Sequence, residues 1–209
     1  MHITGLRPFS QSLSCVDGKW FWRVSVLNDE AERNIINILD GLNEVFIRHK
    51  NLYIPIVYKE SVRKSYDEIF TDNYLCEPQS RYIKIAFNSP TAFKSKGRYI
   101  NIPTSQLILN SLVRKYDEFS EQTEVGSDEL MNQILCDTEI SSFNLKSCSF
   151  SLEGVRIPAF LGSVTIKVKG SRTFANFVNM LADFGEFSGC GIKNALGMGS
   201  IKHVRDGVI

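Results

Sequence analysis

The sequence predicts an α+β protein with helices on one face of antiparallel sheets. Three observations predict it. Alternating runs rich in β-branched and aromatic residues mark strands. Segments with apolar residues at three- and four-residue spacing mark helices. The two kinds follow one another without the regular βαβα alternation of a parallel sheet. From Tyr82 onward the order is strand, helix, two strands, helix, strand, which fits a ferredoxin-like core. The first part reads strand, helix, strand, about the back half of the same unit. The 209 residues allow one large domain or two small ones, and 43% hydrophobic with 22% charged residues is ordinary for a globular chain.

Residues 1–12 read as irregular, since Gly5 and Pro8 oppose a helix. Trp20 to Leu27 alternates as a strand. Asn28 or Asp29 caps a predicted helix whose apolar face runs from Ile35 to Phe46 and which ends at His49-Lys50-Asn51. Tyr53 to Val57 is a second strand, and Pro55 favours an edge. Residues 61–80 are polar, with one helical turn near Tyr66. A domain boundary is placed here, giving domains 1–75 and 76–209.

The second domain opens with a strand, Tyr82 to Phe87, turned by Asn88-Ser89-Pro90, and a short strand from Tyr99 to Ile102. Thr104 or Ser105 caps a helix carrying Leu107, Ile108, Leu112, Val113 and Tyr116. A short helix is expected near 128–135. Ile140 to Leu152 and Ile157 to Val168 alternate around Glu153-Gly154 as a long hairpin. Ser171 opens an amphipathic helix on which Phe174, Phe177 and Phe184 recur at helical spacing, so they and Phe187 read as core rather than as stacking platforms. A last strand spans Ser200 to Val204.

Between that helix and that strand lies the most unusual stretch. Gly185, Gly189, Gly191, Gly197 and Gly199 fall within fifteen residues, with Lys193 among them. Such density points to positive φ or close backbone approach. Backbone N–H groups beside a cation suit phosphate oxygens. The spacing is neither a P-loop nor a dinucleotide fingerprint, so a polynucleotide backbone is the expected ligand.

Charge agrees with a local rather than a global anion site. Net charge is +1. Yet Arg81, Lys84, Lys94, Lys96 and Arg98 fall in residues 81–100 with no acid, while residues 116–139 carry eight acids and no base. The five cysteines, at 15, 76, 136, 148 and 190, form no CxxC pair, so free thiols are expected rather than zinc or disulfides. No apolar run approaches the ~18 residues of a membrane span, and no signal-peptide pattern opens the chain. A cytoplasmic location without membrane contact is the expectation. His49, beside Arg48 and Lys50, reads as a solvated helix end, and His203 as a surface strand residue.

Three segments carry a resemblance. Residues 87–94, Phe-Asn-Ser-Pro-Thr-Ala-Phe-Lys, resemble the S-P-T-x-F-K strand-turn of the CRISPR repeat-processing endoribonucleases. Arg156 to Gly162 is similar to their central hairpin. Gly189, Gly191, Gly197 and Gly199 match their G-x-G-(x)5-G-x-G loop. Order and spacing agree across roughly residues 80–205.

The resemblance implies two tandem ferredoxin-like (RRM-like) domains of the RAMP superfamily, here with the N-terminal one incomplete. It implies cleavage of CRISPR precursor RNA within its repeats, with no metal or cofactor. The 2′-hydroxyl attacks the phosphate, leaving a 2′,3′-cyclic phosphate and a 5′-hydroxyl. Met1-His2 followed by Arg7-Pro8-Phe9-Ser10-Gln11-Ser12 is similar to the family's Leu-His ahead of a basic-x-Phe-x-x-Ser strand. By that likeness His2 is the catalytic acid or base and Arg7 supports it. A histidine titrates near neutrality and suits the proton transfers of RNA cleavage. An arginine stays charged and steadies the phosphate. The family's first strand and helix, roughly 30 residues, have no counterpart before His2, so either a chain truncated at its start or a reduced member is expected. Expected RNA contacts are Lys94, Lys96, Arg98, Gly189, Gly191, Lys193, Asn194, Gly197, Gly199 and Lys202. Repeat RNA is the expected partner. A non-cleaving RNA-binding subunit of an effector complex is the alternative, and a homodimer is left open.

Overall fold

A computed structural model describes residues 5–74, 79–120 and 125–205. The expected boundary at 75/76 lies outside the described residues.

The first strands are β1 (Phe9–Val16) and β2 (Lys19–Val26), an antiparallel ribbon turned by Asp17-Gly18, both at positive φ. Asp-Gly with two left-handed residues is a strong hairpin signal. The first strand therefore begins at Phe9, inside the stretch 1–12 expected to be irregular. Next come α1 (Asp29–Ala31), a π-helical stretch Glu32–Ile36, and α2 (Asn37–Gly41). This helical segment is shorter than expected. Gly41 ends it, Leu42 is extended, and Glu44–Ile47 forms β3, paired with β4 (Leu52–Pro55). Phe46 and Tyr53 face each other at 4.6 Å between ring centres, so cross-strand packing outweighs the helical period. His49 lies in the 3-10 turn between these strands, not at a helix end. The single turn expected near Tyr66 is a full helix, α3 (Tyr66–Asn73), opened by a capping box of Ser65 and Glu68.

The second half builds a four-stranded antiparallel sheet from β5 (Tyr82–Thr91), β8 (Thr138–Leu152), β9 (Val155–Val168) and β10 (Ile201–Val204). The order is β10-β5-β9-β8. With α4 (Ser105–Phe119) after β5 and α6 (Arg172–Ser188) after β9, this is the ferredoxin-like order, as expected. Thr104 and Ser171 cap the two helices. A smaller helix, α5 (Asp128–Asp137), joins α4 to β8. The expected turn at Asn88-Ser89-Pro90 is instead strand: β5 runs on to Thr91, with its register against β9 shifting after Phe87. A bulge accommodates a proline that has no ladder N–H to give. A small hairpin, β6 (Phe93–Ser95) and β7 (Arg98–Ile100), follows and turns at Lys96-Gly97.

The core lies between sheet and helices. Ile83, Ile85, Phe87, Val164 and Ile166 meet Leu109, Leu112, Tyr116, Val178, Leu181 and Phe184. Phe174 and Phe177 are buried there as well, and Phe187 packs against the cluster. Gly185 lets α6 sit close to its neighbours, since a Cβ there would lie 2.5 Å from Ile201 and 2.9 Å from Leu112. Cys15, Cys136, Cys148 and Cys190 are free thiols. No helix among the described residues is long and apolar enough to cross a membrane.

Candidate nucleic-acid interface

The three segments singled out in the sequence converge in space. Ala92 after β5, Ile157 and Ala159 of β9, and Met198 of the glycine loop form one small buried cluster, with Ile192 packed against it. The loop is laced to this platform. The Ile192 amide donates to Ala92 O at 3.0 Å, and the Gly199 amide to Pro90 O at 3.0 Å. The Ser200 amide donates to Ser89 Oγ at 2.8 Å. The Gly191 amide donates to Ser111 Oγ of α4 at 2.8 Å.

Gly189, Gly191, Gly197 and Gly199 all take positive φ. A Cβ on Gly191 would lie 2.4 Å from Ala92 O, and one on Gly199 would lie 2.0 Å from Cys190 O. Those two glycines, and Gly189 beside Asn194, serve close packing within the protein. Gly197 differs, for nothing lies within 4 Å of its Cβ position. The loop's N–H groups are mostly spent inward. Among the described residues, those of Lys193, Asn194 and Ala195 have no acceptor.

Asn194 is buried and faces inward. Its Nδ2 donates to Cys190 O at 3.2 Å and Met198 O at 3.0 Å, while its Oδ1 accepts from Lys115. Among the expected contacts, then, Asn194 builds the loop with its side chain. Lys193 holds left-handed backbone at the head of a 3-10 turn, Asn194–Leu196, and is half-exposed. Lys202 is exposed on β10. Lys94, Lys96 and Arg98 are exposed on the β6–β7 hairpin, which leaves the platform at Ala92.

β1 runs along the loop. Ser10 Oγ donates to Phe187 O at 2.5 Å, and Gln11 Nε2 to Ala195 O at 2.7 Å. Gln11 also accepts from Trp22 Nε1 at 2.9 Å. The Arg23 guanidinium lies 5.7 Å from the Phe187 ring centre. Ser10, Ser12 and Arg23 face Glu186, Gly189 and Ser200 across a narrow crevice. Arg7 is exposed two residues before β1. His2 lies outside the described residues.

His203 is not a surface residue. It shares the inner face of β10 with Ile201 by the period of two and is buried. Its Nδ1 lies 2.6 Å from Asp183 Oδ1, and Arg205 reaches Asp183 Oδ2 at 2.6 Å. Burial pushes the Asp183 carboxyl up. Hydrogen bonds to His203 and Asn73 and the Arg205 charge outweigh it and hold the carboxyl below its ordinary range. Arg81, one of the expected basic cluster, donates to carbonyls of Val168, Lys169 and Gly170 and so clamps the end of β9.

Sequence reasoning also missed Lys115. It falls three residues after Leu112 and seven after Ile108, inside the apolar stripe of α4, and a lysine at that spacing was the available signal. It is 4% exposed.

A ferredoxin-like sheet with a glycine loop between last helix and last strand defines the class, and the comparisons give the family. The family model described as CRISPR-associated endoribonuclease Cas6 matches residues 85–201. The Mycobacterium tuberculosis (strain CDC 1551 / Oshkosh) protein of that name is 32% identical over 204 residues, 97% of this chain and 65% of its own length. The Streptococcus thermophilus one is 33% identical over 181 residues, 87% of this chain and 74% of that protein. A solved Cas6 product complex superposes with a TM-score of 0.83 at 24% identity, covering 98% of this chain and 85% of that one. The chain belongs to the Cas6 family. It spans 65% of the length of the tuberculosis relative. The shared fold is the tandem ferredoxin-like plan expected from the sequence.

Proposed function

We propose that this chain cuts CRISPR precursor RNA within its repeats, in the cytoplasm and without a metal. The observation that carries the reading is the convergence of residues 87–94, 156–162 and 189–199 on one platform, in a member of a family of endoribonucleases. A neighbouring Cas6 structure of this fold is a product complex.

In this reading the 2′-hydroxyl upstream of the cut attacks the phosphorus. The 5′-oxygen leaves, taking a proton from solvent to become the 5′-hydroxyl, and the RNA ends in a 2′,3′-cyclic phosphate. His2 takes the 2′-proton. Arg7 stays charged and offsets the negative charge growing on the phosphate oxygens. The RNA backbone runs over the glycine loop. Lys193, Lys202 and the hairpin cations Lys94, Lys96 and Arg98 meet phosphates, and Gly197 leaves room for close approach. Support for joining the two ends of the chain is physical: β1, which follows Arg7, is fastened to the loop carbonyls of Phe187 and Ala195. A division at 75/76 into an N-terminal catalytic and a C-terminal binding unit belongs to the same reading.

Labelled repeat RNA incubated with the chain in EDTA tests this. Cleavage within the repeat is expected, with His2→Ala slower by at least about a hundredfold. Tight, salt-sensitive binding without cleavage would assign the chain instead to the non-cleaving RNA-binding class. Cleavage untouched by His2→Ala would remove the histidine from the mechanism.

A further inference from the structure

The ammonium of Lys115 sits inside the protein with no carboxylate among its hydrogen-bond partners in the described residues. It donates to Gly189 O at 2.8 Å, to Ser188 O at 3.3 Å and to Asn194 Oδ1. An ammonium has three N–H groups, and each of the three acceptors can take one. Two acceptors are backbone carbonyls at the C-terminal end of α6, where unpaired carbonyls collect and a cation is favoured. The third belongs to the residue that ties Cys190 O to Met198 O across the loop. The titratable neighbour is Cys190, whose thiol burial pushes up to about 11 and so keeps neutral.

A buried cation unbalanced by a carboxylate is costly. An apolar side chain would fill the same place at lower cost. What the ammonium adds is direction. Any loop shape that withdraws Asn194 Oδ1 or Gly189 O leaves a buried charge short of a partner, so one shape is strongly preferred. That shape also sets β1, through Ser10 to Phe187 O and Gln11 to Ala195 O.

We propose that Lys115 is the positioning residue of the glycine loop: its buried ammonium fixes the shape in which Lys193 meets an RNA phosphate and in which the loop holds β1. The phosphate contact rests on the RNA-binding reading above; the shape of the loop does not. Burial lowers the Lys115 pKa to about 8, which leaves the ammonium charged at neutral pH.

Two measurements on Lys115→Met test the proposal. The first is backbone hydrogen exchange without RNA. The Cys190, Gly191, Ile192 and Gly199 amides should exchange at least about tenfold faster, while β5 and β9 stay as protected as in the parent. Unchanged protection in the loop overturns the proposal whether or not the chain binds RNA. The second is a double-mutant cycle with Lys193→Ala, read as repeat-RNA affinity against salt. Each single variant should lower the salt slope by about one contact, and the pair should lower it no further. Additive losses would show that the loop keeps its shape without Lys115, and would overturn the proposal. A parent that binds no RNA sinks the functional reading and leaves the exchange result to decide the positioning role. If Lys115→Met fails to fold, Lys115→Gln removes the ammonium while keeping a polar side chain and is read in the same two ways.

Discussion

Four glycines in one loop do two different things, and single substitutions separate them. Gly199→Ala drives a Cβ to 2.0 Å from Cys190 O at φ +72, and Gly191→Ala meets Ala92 O at 2.4 Å. Each should cost at least about 2 kcal/mol of stability, since strain and a backbone clash add. Gly197→Ala meets nothing and carries only the cost of left-handed backbone, about 1 kcal/mol. Its larger effect should be on RNA affinity, where the methyl stands between the loop and the phosphate backbone. Urea unfolding and RNA titration of the three variants check both halves. Equal stability losses at 197 and 199 would refute the distinction.

Lys115 adds a pH dependence. Its folded pKa of about 8 lies below the ordinary 10.5. Between these values the unfolded chain holds a proton that the folded chain has released. The Lys115 contribution to stability therefore rises with pH across that window, and below about 8 both states are protonated and the contribution is flat. Lys115→Met should remove the rise, as measured by unfolding on either side of pH 8. The glycine density pointed to this loop from the sequence, but Lys115 and the inward turn of Asn194 were hidden. The helical spacing of Lys115 marks it as inward-facing, but its three acceptors lie 73, 74 and 79 positions further along, where no local pattern names them.

At the scale of elements, one carboxylate joins α3, α6 and β10. Asp183 receives Asn73 Nδ2 at 2.9 Å, His203 at 2.6 Å and Arg205 at 2.6 Å. Its folded pKa is depressed. The stability it supplies is present above the ordinary aspartate value and lost as pH falls through the folded one. Asp183→Asn should cost about 2–3 kcal/mol at neutral pH and flatten the acid limb of the stability curve. An unchanged acid limb would show that the pairing contributes little.

The same scale shows what local sequence could and could not tell. The β8–β9 hairpin, α4 and α6 were legible because long periodic runs and serine or threonine caps agree. β1 is hard to read from sequence because serine and glutamine fill half of its positions, although Asp17-Gly18 marks the turn. The helix overran into β3 because Val45, Phe46 and Ile47 continue a helical spacing, and only pairing with β4 decides their conformation. His203 was misplaced by overlooking the period of two that links it to Ile201.

For the whole molecule, the fold of residues 82–204 followed from element order alone, because strand–helix–strand–strand–helix–strand admits few unknotted arrangements. The site was half legible. Three short segments could be named from sequence, but their meeting at Ala92, Ile157, Ala159 and Met198 is a property of the folded sheet. The same sheet places Lys202 on the outer face of β10 and His203 on its inner face.

In the proposed reaction the RNA's own 2′-hydroxyl performs the cut while the protein binds, orients and moves protons. A repeat RNA carrying a single 2′-deoxynucleotide immediately upstream of the cleavage position tests it most directly. This RNA should bind as tightly as the parent RNA and stay uncut, while the parent RNA should give a 2′,3′-cyclic phosphate in EDTA. Cleavage of the deoxy RNA at the same position, or cleavage of the parent only when a divalent metal is supplied, would contradict it.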